Sequence, residues 1–317
     1  MNSITDLRSR LTELNRPLSV AVTSGKGGVG KSVITLSLAV EYSSQGVRTL
    51  LIDGDIGLGN QHLLANVTPM FTIEDVLAGS CNVDEATLKL NENLTLMPAR
   101  SGFSATEVEI DITSDDLRNI LAWVKERFDL ILIDTAAGIS SQVTQTASLT
   151  DMVLIITTPD IAAVADSYAV TKYLVRTNAA SHIGFAVNRV ARDREGRQTA
   201  QNLNRMTRKF LRLALPDVPI IREHMGLRQI LMSRNILVPG FEDRDWSRGI
   251  KDVATLVCDS LPDNLTHWTQ GYWGAVDSRA ALNSSTINVD RKNEALIQGS
   301  SASRFGLEEV TAGKDSL

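Results

Sequence analysis

The chain has 317 residues, of which 43% are hydrophobic and 22% are charged, and its formal net charge is −5. This is the composition of a soluble globular protein, and the length suffices for one large α/β domain or two small ones. No run approaches the roughly 18 apolar residues of a membrane-spanning helix, and the acidic balance argues against general coating of nucleic acid. The N-terminus lacks the apolar core of a signal peptide, which predicts a cytoplasmic protein. Cys81 and Cys258, the only cysteines, are far apart in the chain, which argues against a cysteine-held zinc or iron–sulfur site.

The predicted elements alternate between helix and strand. The first are an amphipathic helix at 3–14, a strand at 18–23, a helix at 31–44 and a strand at 47–53. Further strand-like runs lie at 94–99, 129–134, 152–157, 183–188 and 218–221. Helical patterns lie between them at about 72–78, 114–127, 141–149, 160–177, 197–213 and 246–260. Because the strands are nearly continuous apolar runs, we predict a doubly wound α/β fold, with a mostly parallel sheet flanked by helices.

The chain divides into three predicted parts. Residues 1–16 form an N-terminal helix, and residues 17–262 form the α/β domain. Residues 263–317 begin with an aromatic segment that contains Trp268, Tyr272 and Trp273. Beyond about Ser278 the chain is rich in Ser, Asn, Gly and charged residues, which predicts a flexible tail.

The segment TSGKGGVGKS, Thr23 to Ser32, fits the P-loop pattern G-x-x-x-x-G-K-[ST] and lies between a predicted strand and a predicted helix. Glycines in such a loop let backbone N–H groups point at phosphates, and the start of the helix adds its positive dipole end. Lys31 is expected to reach the β- and γ-phosphates, and the Ser32 hydroxyl is expected to bind Mg²⁺. The pattern needs only one lysine, yet this loop contains a second, Lys26.

Three aspartates follow predicted strands where a magnesium–nucleotide site needs carboxylates. Asp134 ends the run DLILID, which is the Walker B position for a residue that supports Mg²⁺. Asp53 and Asp55 close the strand VRTLLIDGD, where a carboxylate can orient an attacking water. We therefore predict Ser32, Asp134 and Asp53 as metal-site residues and Asp55 as a catalytic residue.

The segments SGKGGVGKS, LLIDGDIGLGN and LILIDTAAGI together resemble the deviant Walker A ATPases of the MinD/ParA class, a group of P-loop NTPases. The resemblance extends from about Leu18 to Asp259. Ordinary P-loop proteins lack both the extra lysine and the D-x-D-x-G-x-x-N segment. Within the class, IGLGN, PARSG, DTAAGI and EGRQTAQNLNRMTRKFL are most similar to the flagellar-number regulators called FlhG or FleN.

This resemblance implies a role for each matching residue. ATP and Mg²⁺ are expected on the loop residues Gly25, Lys26, Gly27, Gly28, Val29, Gly30, Lys31 and Ser32. The resemblance implies that Lys26 reaches the phosphates of a partner subunit across a nucleotide-sandwich dimer. It also implies that Asp55 positions the hydrolytic water, with Lys26 and Lys31 as the other catalytic residues, and that Asp134 supports Mg²⁺.

Three further positions match the class less directly. Asn188, at the end of GFAVN, matches an asparagine that reads the adenine edge, and a turn residue at a strand end is an equal alternative. Asp160 matches an acidic position that meets the nucleotide ribose across the dimer. Asp166 lies where MinD-like proteins contact partners. The class has a proline in an I-P-x-D turn where this chain has Ile221, and that turn helps to form the base pocket.

The expected function is an ATP-dependent homodimer that regulates the number or placement of a cellular structure, most similar to the regulators of flagella. Its implied partners are an FlhF-like GTPase or a transcription activator. Its implied location is the cytoplasm or the inner face of the cell membrane. Two alternatives stay open: a ParA-like ATPase that positions a chromosome, plasmid or other cargo, and a nucleotide-dependent regulator of a transcription activator with negligible hydrolysis.

Three segments have two interpretations each. The N-terminal helix keeps Leu7 and Arg8 of a D-Q-A-x-x-L-R activator motif and either activates a GTPase or packs on the domain. Residues 264–276 place Leu265, Trp268, Tyr272 and Val276 on one helical face, but they contain no Lys or Arg, so packing is favoured over membrane contact. A basic region either forms a solvated helix face, which is favoured, or binds nonspecific DNA; it comprises Arg189, Arg192, Arg194, Arg197, Arg205, Arg208, Lys209 and Arg212.

Overall fold

Strands and helices alternate along the part of the chain that the computed structural model describes: residues 16–102, 127–180, 182–224 and 244–260, with positions 11, 120, 123–125 and 226. The strands are β1 Leu18–Ser24, β2 Thr49–Gly54, β3 Leu88–Lys89, β4 Leu94–Met97, β5 Leu130–Ala137, β6 Met152–Thr157, β7 Ile183–Val190 and β8 Ile220–Arg222. The helices are α1 Lys31–Ser44, α2 Gln61–Leu64, α3 Ile73–Leu77, α4 Ser141–Leu149, α5 Ile161–Thr177, α6 Asp193–Leu211 and α7 Arg244–Asp259.

The eight strands form one sheet in the order β3-β4-β2-β5-β1-β6-β7-β8. Every pair of neighbours is parallel except β3 with β4. Strand β1 lies between β5 and β6, so the loop that leaves β1 emerges at the centre of the carboxyl edge. The register pairs Asp134 of β5 with Val22 of β1 on one side and with Asp53 of β2 on the other. Parallel pairing thus brings the glycine-rich loop and two of the predicted aspartates together.

Helices cover the sheet on both faces, because alternate residues of each strand point to opposite sides. On one face, Val20 and Val22 of β1 pack in a core cluster with residues of α1 and α7. On the other face, Ala21 of β1 packs with Val170 of α5 and Leu203 of α6. The predicted doubly wound α/β fold is therefore confirmed.

Most predicted element boundaries lie within a few residues of the observed ones. Strand β5 runs beyond its predicted end at 134 to Ala137, because it pairs with β1 as far as Ser24. Helix α2, with four residues, and strand β3, with two, were not predicted, because elements this short leave no periodic pattern in the sequence. Residues 263–317, most of the predicted helix at 114–127 and most of residues 1–16 lie outside the described residues.

Two positions of the segment 1–16 are described. Leu11 is buried in the cluster beneath α1 and α7, and the Arg16 guanidinium lies 2.9 Å from the Asp151 carboxylate. These contacts attach the end of the segment to the domain. Among the described residues, no helix is long and apolar enough to cross a membrane.

Candidate functional site

The glycine-rich loop has a shape that larger residues could not adopt. Gly30 has a φ of 90°, in the left-handed region that favours glycine. A Cβ atom at Gly25 would lie 2.3 Å from the carbonyl carbon of Asp166, so the loop can approach α5 only with glycine at this position. The Val29 side chain is buried in the core, which leaves only its backbone for a ligand.

The start of α1 suits an anion. The helix begins directly after Gly30, no side chain caps its N-terminus, and its first turn contains no acidic residue. An uncapped helix start leaves backbone N–H groups without partners and places the positive end of the helix dipole there. The loop and helix therefore have features that suit a phosphate group, and the predicted binding of ATP phosphates here stays a prediction.

A buried ion pair lies beneath this loop. The Lys31 Nζ is 2.5 Å from Oδ1 of Asp134, and the two side chains are 8% and 0% exposed. The other carboxylate oxygen of Asp134 accepts a 2.8 Å hydrogen bond from Nε2 of Gln61. Thr35 Oγ1 lies 3.4 Å from the same oxygen as Lys31. Lys31 and Asp134 are thus in direct contact, and their positions in the sequence do not indicate this contact.

Asp53 is fully buried next to Asp134, and its carboxylate holds the loop that follows β2. It accepts hydrogen bonds from the backbone N–H groups of Asp55 at 3.3 Å, Asn60 at 2.8 Å and Gln61 at 2.9 Å. Burial raises the pKa of Asp53 to about 7; the N–H of Gln61 opposes this rise, and the charge of Asp134 adds to it. In this arrangement Asp53 organises the loop, and its predicted role as a metal-site residue stays a prediction.

We expect the raised pKa of Asp53 to make folding stability depend on pH. The unfolded carboxyl ionises near its ordinary value of 3.8 and the folded one near 7, so the folded protein binds more protons between these values. This contribution to stability is complete below the unfolded pKa and is lost as the pH rises through the folded pKa. Urea unfolding at pH 5 and pH 7 is therefore expected to show wild type losing stability relative to Asp53→Asn. If the difference in stability between wild type and Asp53→Asn is the same at pH 5 and pH 7, the raised pKa of Asp53 is contradicted.

Asp55 lies half-buried at the start of the same loop. Burial raises its pKa, Lys31 opposes that rise, and Asp134 adds to it. These electrostatic neighbours place Asp55 close to the buried ion pair, as expected for a residue that acts at the phosphates. Its predicted role in orienting water stays a prediction.

Lys26 and Asp160 form an exposed ion pair at the rim. Their charged atoms are 3.0 Å apart, and the side chains are 43% and 52% exposed. Asp160 also caps α5 by accepting a 2.7 Å hydrogen bond from the N–H of Ala162, and its hydrogen bond with Lys26 lowers the pKa of its carboxyl. Asp166 lies half-buried in the second turn of α5, where its backbone meets Gly25.

Asn188 lies beneath the P-loop. It is 2% exposed, and its Nδ2 donates a 2.8 Å hydrogen bond to the carbonyl of Val29. Its Oδ1 is buried without a hydrogen-bond partner among the described residues. The side chain thus supports the loop from below, and its predicted contact with adenine stays a prediction.

Sequence reasoning missed two residues that shape the site. Gln61 follows the D-x-D-x-G-x-x-N segment directly, so its place next to Asn60 was an available signal. Glu74 of α3 gave no signal: its buried carboxylate accepts hydrogen bonds from the N–H of Gly57 at 3.2 Å and of Arg100 at 3.0 Å. Glu74 thereby attaches the loop after β2 to the PARSG segment.

The described residues contain no group of three or more His, Cys, Asp or Glu side chains that could hold a metal by themselves. A magnesium–phosphate site does not require such a group, because Mg²⁺ usually keeps several waters and uses one or two protein ligands together with phosphates. Ser32 at the start of α1 and Asp134 beneath it supply the oxygen ligands that Mg²⁺ prefers. The described residues therefore fit a magnesium–phosphate group.

Comparisons with known proteins show which proteins this chain is similar to. A family model described as an AAA domain matches residues 18–180. The antiactivator FleN of Pseudomonas aeruginosa is 30% identical over 243 residues, which cover 77% of this chain and 86% of that protein. The flagellum site-determining protein YlxH of Helicobacter pylori is 30% identical over 243 residues, which cover 76% of this chain and 82% of that protein.

One solved structure gives a comparison at the level of the fold. The septum site-determining protein MinD of Pyrococcus horikoshii, complexed with Mg–ADP, has a TM-score of 0.64 and 24% identity, and the match covers 79% of this chain and 98% of that chain. At this identity the likeness concerns the fold alone.

Proposed function

Because the chain belongs to the MinD/ParA family of P-loop proteins, we propose that it binds Mg²⁺–ATP, hydrolyses it, and uses the cycle as a dimerisation switch. One observation carries the proposal: the buried pair of Lys31 and Asp134 directly beneath the uncapped start of α1. A charged pair in the core costs desolvation energy, and apolar residues of the same size would often stabilise the fold equally well or better. A role in binding phosphate explains why these two charges are there.

Within one subunit, different residues bind the phosphates, hold Mg²⁺ and orient the attacking water. Lys31 exchanges Asp134 for the β- and γ-phosphates when nucleotide binds, and backbone N–H groups of the loop hold the remaining phosphate oxygens. Ser32 and Asp134 would hold Mg²⁺, which when bound neutralises charge on the phosphates. Asp55 orients the attacking water. Phosphoryl transfer depends mainly on such positioning and charge neutralisation.

The second subunit is proposed to supply Lys26. The exposed apolar side chains near the site support a dimer surface there: Leu58 follows Asp55, Ile139 follows β5, and Ile161 follows Asp160, with exposures of 62%, 47% and 87%. Large apolar side chains grouped around a polar site are typical of surfaces that become covered. Size-exclusion chromatography tests the proposal: a dimer is expected with Mg²⁺–ATP and a monomer with ADP, and identical elution in both would contradict it.

Replacing Asp55 with alanine is expected to trap the ATP-bound dimer. The variant keeps Lys31, Ser32 and the loop, so it binds ATP, but no carboxylate orients the water. We expect phosphate release to fall by about 10²-fold or more, the scale of general-base catalysis, while the dimer persists in chromatography with ATP. Turnover at the wild-type rate would remove Asp55 from the catalytic role.

The structure that the switch regulates is proposed to be the flagellum, on the similarity to FleN and YlxH. The proposed partner is an FlhF-like GTPase or a transcription activator. The measurements are the number and position of flagella in cells that lack the protein, and nucleotide-dependent binding of each partner. Partner binding that survives Asp55→Ala unchanged would favour a regulator that works by nucleotide binding with negligible hydrolysis.

A second candidate function is ParA-like positioning of a cargo on DNA, which the exposed basic face of α6 favours. This face comprises Arg194, Arg197, Arg205, Arg208 and Lys209, all of them exposed. Asp193 partly balances it, through contacts of 3.7 Å with Arg197 and 3.4 Å with Arg222. ATP-dependent binding to nonspecific DNA that weakens steeply with salt would support this function, and no binding at low salt would exclude it.

A further inference from the structure

We infer that Gln61 is a positioning residue that couples the Asp55 loop to the aspartate and the P-loop of the nucleotide site. Gln61 is the first residue of α2 and is fully buried, although its side chain carries a polar amide. No part of the proposed mechanism so far uses it. The inference rests on the proposed ATPase function and adds a residue to that site.

The side-chain amide of Gln61 joins two parts of the site. Its Nε2 donates a 2.8 Å hydrogen bond to Oδ2 of Asp134 and a 3.0 Å hydrogen bond to the backbone carbonyl of Ser32. One NH₂ group has two hydrogens, so a single side chain can satisfy both acceptors. Among the described residues, the Oε1 atom of Gln61 has no hydrogen-bond partner, so the contribution of this amide comes from its donor end.

The backbone of Gln61 links these side-chain contacts to a third residue of the site, Asp53. Its N–H donates to Asp53 at 2.9 Å, next to the 2.8 Å hydrogen bond from Asn60. These bonds close the loop that begins at Asp55. A shift of this loop therefore moves the amide that contacts Asp134 and Ser32. A shift of Asp134 is transmitted to the loop through the same hydrogen bonds.

The coupling matters most when nucleotide is bound. In the proposed mechanism Lys31 leaves Asp134 for the phosphates, and Oδ1 of Asp134 then loses its closer partner and keeps the 3.4 Å contact with Thr35 Oγ1. The hydrogen bond from Gln61 to the other oxygen keeps the carboxylate oriented. Groups that orient the ligands of a metal typically contribute 10- to 100-fold, in order of magnitude, to metal affinity or activity. Gln61 occupies this place for Asp134.

The test replaces Gln61 with leucine in the full chain, which removes the donor and places an apolar side chain of similar size in the buried position. Gln61→Met, which is unbranched as glutamine is, serves as a second variant with a different shape. Gln198→Leu is the control, because Gln198 is an exposed glutamine of α6 whose side-chain amide donates to Asn202 of the same helix. Each protein is compared with wild type in thermal unfolding without ligand, with ADP in EDTA, and with ADP and a series of Mg²⁺ concentrations.

For both Gln61 variants, the Mg²⁺ concentration that gives half of the extra stabilisation by ADP is expected to rise about 10-fold or more. Affinity for ADP in EDTA is expected to stay within about twofold, because the backbone cradle is intact. The kcat for ATP is expected to fall about 10-fold with a nearly unchanged KM, which is the pattern of a lost transition-state interaction. Gln198→Leu is expected to match wild type in all three measurements.

Two results would overturn the inference while the proposed function stands. The first is a wild-type Mg²⁺ dependence and kcat in a folded Gln61 variant. The second is an equal loss of ADP binding with and without Mg²⁺, which would show only damage to the fold. Failure of the wild-type protein to bind Mg²⁺–ADP or to release phosphate from ATP would instead overturn the proposed function itself, and the inference with it.

Discussion

The replacement of Lys31 with alanine is expected to weaken ATP binding severely. Lys31 is the only lysine that contacts Asp134 in the described structure, and it lies at the first position of α1 beside the uncapped N–H groups. An ammonium group here supplies the positive charge for the β- and γ-phosphates. Fluorescent nucleotide binding is expected to weaken by about 10²-fold or more, which corresponds to roughly 2.7 kcal/mol or more.

Loss of binding in this variant needs a control for folding. Alanine at position 31 leaves the Asp134 carboxylate buried without its cation, and breaking a buried pair in this way typically costs about 3–5 kcal/mol of stability. The double variant Lys31→Met with Asp134→Asn removes both charges and is expected to recover most of this stability without recovering nucleotide binding. Tight Mg²⁺–ATP binding by either folded variant would contradict the role of the loop as a phosphate cradle.

The parts of the site that could be predicted from the sequence are those that depend on local sequence patterns. The P-loop was recognisable because glycines, a lysine and a serine recur at fixed spacing between a strand and a helix. Asp53 and Asp134 were recognisable because each ends an apolar run, and parallel strands bring their carboxyl ends to one edge. The register that pairs Asp53 with Asp134 confirms this reasoning.

The contacts that could not be predicted depend on which side chains meet across the fold. Glu74 contacts the backbone of Gly57 and Arg100, and nothing in the spacing of these residues indicates that they meet. The place of Gln61 next to Asn60 indicates that it lies near the site, but nothing in the sequence indicates that its side chain is fully buried against Asp134. Asp53 was predicted as a metal-site residue because it closes a strand next to the P-loop, but a carboxylate at a strand end can face either the ligand or its own loop. Its three backbone hydrogen bonds are visible only in the folded chain.

The replacement of Lys26 with alanine is expected to separate nucleotide binding from dimerisation. Lys26 lies on the rim, 43% exposed, and its contact in the chain is an exposed ion pair with Asp160. Exposed ion pairs contribute little to stability, so the lysine can leave Asp160 when a second subunit arrives. The variant is expected to fold and to bind ATP with an affinity within about twofold of wild type, because Lys31 and the backbone cradle remain.

The same variant is expected to elute as a monomer in size-exclusion chromatography with Mg²⁺–ATP and to release phosphate about tenfold more slowly or worse. In other nucleotide hydrolases a cation delivered in trans contributes on the order of 10³- to 10⁵-fold. Lys89→Ala is the matched control, since Lys89 is an exposed lysine on the edge strand β3, and it is expected to dimerise as wild type does. If Lys26→Ala forms the ATP-dependent dimer and hydrolyses ATP normally, the second lysine of the loop has no role across a dimer. If it binds ATP and does neither, Lys26 is the residue that makes hydrolysis depend on a second subunit.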